Sequence, residues 1–98
     1  MIEKNKKIDI YKEASSTKHY FYLNNGTPLK NLAELIDQLV NMDQSLFNYH
    51  VNKKNNDFAN WVREVFGEKE LARRMNMSRS PQGMLKSITK YLESYTIF

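Results

Sequence analysis

Between Asn56 and Gly67 the apolar residues Phe58, Trp61, Val62, Val65 and Phe66 stand at i, i+3, i+4, i+7 and i+8. That spacing places all five along one side of an α-helix, and a stripe this wide is stable in water only when other apolar surface covers it. Asn55 or Asn56 suits the N-cap of this helix, and Gly67 suits its end, because glycine enters the left-handed region without steric cost. A single Trp inside so regular a stripe reads as a core anchor rather than a platform for stacking bases. The rest of the chain must supply the cover.

A second stripe comes from Leu32, Leu35, Ile36, Leu39 and Val40, opened by Asn31 as N-cap with Glu34 placed to reach back to it. Asp43 is placed to cap a shorter helix in which Leu46, Phe47, His50 and Val51 share a face, and Asn52-Lys53-Lys54 interrupts that helix. Another short helix runs through Leu71, Ala72 and Met75. Ser80-Pro81 then gives a cap followed by proline at the first helical position. The last helix carries Met84, Leu85, Ile88, Tyr91, Leu92 and Tyr95 on one side, although Gly83 weakens its opening turn by about 1 kcal/mol relative to Ala. Upstream, Tyr20-Phe21-Tyr22-Leu23 runs into Asn24-Asn25-Gly26-Thr27, and the Asn-Gly pair predicts a tight hairpin turn with two positive φ angles. Phe21 and Leu23 fall on one face with His19, Tyr20 and Tyr22 on the other. Pro28 cannot donate a ladder hydrogen bond, which predicts a short, peripheral second strand.

The expected fold is therefore α+β and mainly α, a small β-hairpin followed by a compact bundle of four to five short helices. A flexible basic arm over 1–17 precedes a single globular domain over 18–98. Within that domain the hairpin spans about 19–30 and the helices about 31–42, 43–51, 56–66, 68–76 and 80–95.

Size and composition narrow the function classes. With 98 residues, 41% of them hydrophobic, the chain has enough apolar material for one core. A chain this short buries roughly 60–65% of its extended surface, too little to enclose a deep cavity, which weighs against a self-contained enzyme. There is no Cys, so neither a disulfide nor a thiolate metal site is open to it. The two His, His19 and His50, fall in different elements, and no metal is expected. Gly26, Gly67 and Gly83 are too far apart for a phosphate-binding loop. No cofactor and no small-molecule substrate is inferred. The N-terminal stretch lacks the apolar run of a signal peptide, and nothing approaches the roughly 18 apolar residues that span a bilayer, so a soluble, cytoplasmic protein is expected.

The net charge of +4 is unevenly spread. Residues 1–30 hold six Lys against Glu3, Asp9 and Glu13, and residues 31–70 hold four basic and seven acidic residues. Beyond them Arg73, Arg74, Arg79, Lys86 and Lys90 face only Glu93. Either the basic ends neutralise the acidic middle within the fold, or they offer a surface to an anionic partner.

Three places carry candidate function. His50, Asn52, Asn56 and Asp57 flank the break between two helices, where a His-Asp pair can orient an imidazole for proton transfer. No Ser or Cys lies between His50 and Phe66, and Ser45 falls off the same helical face, so this cluster has no nucleophile. The structural alternative asks less: Asp57 favours the positive end of its helix, an Asn caps it, and His50 donates to a backbone carbonyl in the break. Arg73, Arg74, Arg79, Lys86 and Lys90 form the second place, beside the Ser80-Pro81 helix start. The surrounding segment reads as helix, turn, helix, with Met77 to Ser80 as the turn, an arrangement that can meet phosphates of a nucleic acid. The third place is the apolar end Tyr95-Thr96-Ile97-Phe98, which can either fold back into the core or dock into a partner, and which if exposed together with Tyr20 and Tyr22 makes a patch for a partner or a second copy.

At the polar break the chain resembles a prokaryotic family known only as a domain of unknown function, with the signature His-Val-Asn, a few polar residues, then Asn-Asp-Phe-x-x-Trp. Here these are His50-Val51-Asn52, Asn56-Asp57-Phe58 and Trp61. The similarity runs from Phe21 and Gly26 through Leu32, Leu39, Met42 and Phe47 to Gly67, Leu71 and Ala72. The resemblance implies that the hairpin and first four helices form one module, and it brings no activity, ligand or catalytic residue. The expectation is a non-enzymatic binding or accessory module. It would recognise a protein partner or its own copy through the hairpin, the His50 to Asp57 break or the C-terminus. The alternative is nucleic-acid binding through the basic C-terminal third.

Overall fold

The computed structural model describes residues 8–96, with Tyr95 and Thr96 described by backbone alone. Residues 1–7 of the expected arm, and Ile97 and Phe98 of the expected docking end, lie outside the described residues. The architecture is α+β and mainly helical: a two-stranded antiparallel hairpin, β1 (Phe21–Tyr22) and β2 (Pro28–Leu29), followed by α1 (Leu32–Val40), α2 (Gln44–His50), α3 (Asp57–Phe66), α4 (Lys69–Met75) and α5 (Pro81–Thr96).

The α3 stripe finds its cover. Phe58 and Val62 are fully buried, as are Leu35 and Leu39 of α1, Phe47 of α2, Leu71 and Met75 of α4, and Met84 and Ile88 of α5. Each such side chain contributes roughly 1.5–3 kcal/mol of transfer free energy. Helix α3 packs on α4, α4 on α5 and α5 on α1, so one core runs through the bundle. Phe21 closes it from the hairpin, its ring 5.0 Å from that of Phe58 and 5.7 Å from that of Trp61. Trp61 is buried in the core, and its indole N–H donates to the His19 carbonyl at 2.7 Å, the partner a buried indole needs.

Helix ends follow local chemistry. Asn31 Oδ1 accepts from the Glu34 N–H at 2.9 Å, and Asn56 Oδ1 from the Ala59 N–H at 3.0 Å. Gly67 ends α3 at φ 70°, and Ser80 Oγ accepts from the Gly83 N–H at 3.0 Å where α5 begins with Pro81. The reach-back of Glu34 goes one residue further than expected, to the Lys30 N–H at 2.8 Å. That backbone donor, joined by the Lys30 ammonium, holds the Glu34 carboxyl below its usual range. Asp43 precedes α2 but its side chain makes no cap. It is exposed, so water satisfies the free N–H groups of this helix end.

Three further expectations are corrected. The hairpin loop is Asn24-Asn25-Gly26, closed by Gly26 N–H to Leu23 O at 2.8 Å and Leu23 N–H to Thr27 O at 2.9 Å. Only Gly26 takes positive φ, at 93°, because a three-residue loop needs one left-handed residue rather than the two of a tight turn. Val40, expected on the apolar stripe, is 52% exposed. It stands about 100° around the helix from buried Leu39, which turns it out of the core. Residues 8–16, assigned to a flexible arm, instead run along the start of α1. The Ala14 N–H donates to Lys30 O and the Ala33 N–H to Ile10 O, both at 2.8 Å, while Ala14 is buried and Ile8 and Ile10 pack against the core. Unpaired backbone groups beside α1 and two isoleucines outweigh the Lys-rich composition there. A 3-10 turn at Thr17–His19 then leads into β1.

A basic groove lined by asparagines as candidate functional site

The connection between α2 and α3, residues 51–56, folds back on itself. Val51 and Asn56 form an antiparallel bridge, and the Asn52 N–H donates to Asn55 O at 2.8 Å. Asn52 Oδ1 accepts from the Lys54 and Asn55 N–H groups at 3.0 and 3.2 Å, the side-chain turn that Asn forms with backbone two residues on. Lys53 and Lys54 stand exposed at its tip.

Asn56 ties this loop to the next layer. While its oxygen caps α3, its Nδ2 donates to Met75 O at the end of α4, 3.1 Å away, and the residue is buried. His50 takes a role different from the one expected. Its Nε2 accepts from the Asn24 backbone N–H at 3.0 Å, so the lone pair is there and the ring proton is on Nδ1, 3.2 Å from Asp57 Oδ2. The Asp57 carboxylate takes the Nδ1 proton in place of the backbone carbonyl expected in the break, and the hairpin loop, 26 residues upstream, supplies the donor to Nε2. Buried among the rings of Phe21, Tyr49 and Phe58, the imidazole has both nitrogens engaged inside the fold. Asp57 is half exposed, its carboxylate split between His50 and water.

Facing the break is the turn between α4 and α5. Arg79 Nη1 donates to Asn76 O and Ser78 O at 3.3 and 3.0 Å, which anchors the guanidinium by one nitrogen. Gln44 of α2 bridges the two walls, its Nε2 donating to Asn48 Oδ1 at 2.9 Å and to Arg79 O at 3.1 Å. Between the walls lies an open groove of about 510 Å³. Its charged lining is Lys53, Lys54 and Arg79, without a carboxylate. Its neutral polar lining is Asn48, Asn52, Asn55, Asn56 and Asn76. Five of the chain's eleven Asn thus surround one space. Among the described residues, none of the three cations has an acidic partner.

The groove therefore joins parts of two residue sets that the sequence kept apart, Asn52 and Asn56 from the polar cluster and Arg79 from the basic third. His50 and Asp57 stand behind it as supports. Asn48, Lys53, Lys54, Asn55 and Asn76 were missed; the run Val51-Asn52-Lys53-Lys54-Asn55-Asn56, polar and basic beyond what a helix break requires, could have signalled Lys53, Lys54 and Asn55, whereas Asn48 and Asn76 carry no sequence signal.

The other cations of the basic third are placed differently. Arg73 makes a bidentate contact with Glu70, Nε to Oε1 at 3.1 Å and Nη2 to Oε2 at 2.6 Å, and Arg74 Nε reaches the same carboxylate at 3.1 Å. Hydrogen bonds from Arg73, then from Arg74, hold the Glu70 carboxyl down at about 2. Arg74 also lies 5.2 Å from the Tyr91 ring centroid, within cation–π range. Lys86 and Lys90 are exposed on α5. Among the described residues no three His, Cys, Asp or Glu side chains converge, and no helix is long and apolar enough to cross a membrane. No family model, curated protein or solved structure matches the chain.

Proposed function

We propose that this protein is a cytoplasmic, non-enzymatic binding module that holds an anionic, extended segment of a protein partner in the groove between the α2–α3 break and the α4–α5 turn. The observation that carries the reading is three cations without acidic partners among the described residues and five amides around one open groove of about 510 Å³, with no carboxylate in its lining. Such a surface attracts negative charge, and the volume lies within the ~300–1,000 Å³ of ordinary ligand sites. A peptide suits it better than a nucleic acid. Its lining holds no aromatic side chain on which a base would stack, whereas Asn amides pair with peptide N–H and C=O groups. Catalysis is disfavoured because the His50 imidazole has no lone pair left for a substrate proton. In the domain family that the chain resembles, positions matching Asn52 and Asn56 would line the same groove, and those matching His50, Asp57, Phe58 and Trp61 would support it.

The test is fluorescence anisotropy with a labelled Asp/Glu-rich peptide and a single-stranded oligonucleotide of similar charge. The peptide is expected to bind, and the double variant Lys53→Gln/Lys54→Gln to bind ~10-fold more weakly through loss of charge-assisted contacts. Preferential binding of the oligonucleotide, weakened by charge removal at Arg73, Arg74 and Lys86, would support the nucleic-acid reading instead.

A further inference from the structure

Resting on the peptide-groove reading, we propose that the group this groove selects is a phosphorylated side chain of the partner, a phosphoserine or phosphothreonine. The lining's hydrogen bonds point in a direction that favours such a group. Asn48 and Asn52 both have their carbonyl oxygens occupied within the fold, the first by Gln44 Nε2 and the second by two backbone N–H groups. What remains toward the groove is donors: the Asn48 amide nitrogen, the Lys53 and Lys54 ammoniums, and Arg79. The guanidinium of Arg79 is anchored through Nη1 alone, so its Nε and Nη2 are uncommitted and form the edge that grips two oxygens of one anion.

With three cations in the lining and the side-chain oxygens of Asn48, Asn52 and Asn56 bonded within the fold, donors outweigh acceptors, which favours a ligand rich in acceptors. A carboxylate brings one negative charge and two oxygens. A phosphoryl monoester brings a charge of about −1.5 to −2 and three acceptor oxygens, nearer to what Lys53, Lys54 and Arg79 together can neutralise. The remaining amides of Asn55 and Asn76 stand along the lining for the backbone on either side of the modified residue.

Two peptides of identical acidic sequence, one with a central serine and one with phosphoserine, separate this inference from the reading beneath it. Anisotropy titration of the full chain is expected to show the phosphopeptide binding at least ~10-fold more tightly, with inorganic phosphate competing. Arg79→Gln, checked for an unchanged unfolding midpoint, should cut that preference to about twofold or less; Lys54→Gln serves as the second variant should Arg79→Gln fail to fold. Equal affinity for both peptides would overturn phosphoryl selection while leaving the peptide groove standing, whereas binding of neither would overturn both. Tighter binding of phosphoinositide-containing vesicles or of an oligonucleotide than of the phosphopeptide would also overturn it.

Discussion

Asn56 shows how much one amide can carry. Its oxygen caps α3, its nitrogen holds the last carbonyl of α4, and both contacts are buried. Asn56→Ala removes the cap and one of the two donors to Met75 O, which keeps the Ser78 N–H at 3.1 Å, and should cost about 1–2 kcal/mol in urea unfolding. Asn52 also ends in an amide, yet it is exposed, its oxygen bonds within its own turn and its nitrogen reaches Tyr49 O at 3.5 Å, so Asn52→Ala should cost under ~1 kcal/mol. Equal losses would mean that the two residues have been assigned the wrong roles. His50 is likewise a bridge, its ring joining the hairpin loop to Asp57 with both nitrogens. Catalytic chemistry at this pair would require one of those contacts to open.

At the scale of elements, α3 and α4 supply two checks. Gly67 sits at φ 70° with open space around the position of a Cβ, so Gly67→Ala meets backbone strain and no clash. The expected loss is about 1 kcal/mol, read from the same unfolding curves. In α4, ionised Glu70 is favoured by folding because its carboxyl is held at about 2, below the usual value of 4.5. Its contribution is therefore present above pH 4.5 and lost as pH falls toward 2. Carbon-detected NMR should find the Glu70 midpoint near 2, and Arg73→Gln should move it upward. These elements were legible in the sequence because caps and stripes act over three or four residues: Asn31, Asn56, Gly67 and Ser80-Pro81 all stand where local chemistry puts them. The docking of residues 8–16 on α1 was not legible, since it depends on backbone groups of Lys30 and Ala33 that no side-chain pattern reveals. The groove was legible only in fragments, because residues 48–56 and 76–79 meet through the α3–α4 turn rather than along the chain.

For the whole molecule, the uneven charge resolves into two arrangements. Glu70, from the acidic middle, takes up Arg73 and Arg74 within the fold, as internal complementarity predicts. Arg79 escapes this neutralisation and joins Lys53 and Lys54, which the net negative charge of their own segment had concealed. A small bundle with a thin core thus sets its unbalanced charge against a lining of amides, on two connections braced by Asn56, Gln44 and His50. Binding in that groove is the central claim, and ¹H–¹⁵N correlation spectra during titration with the acidic peptide test it most directly. The account predicts shifts concentrated in the backbone and side-chain amides of Asn48, Asn52, Asn55, Asn76 and Arg79. Shifts confined to the hairpin around Tyr22, or to α5 around Lys86 and Lys90, would contradict it.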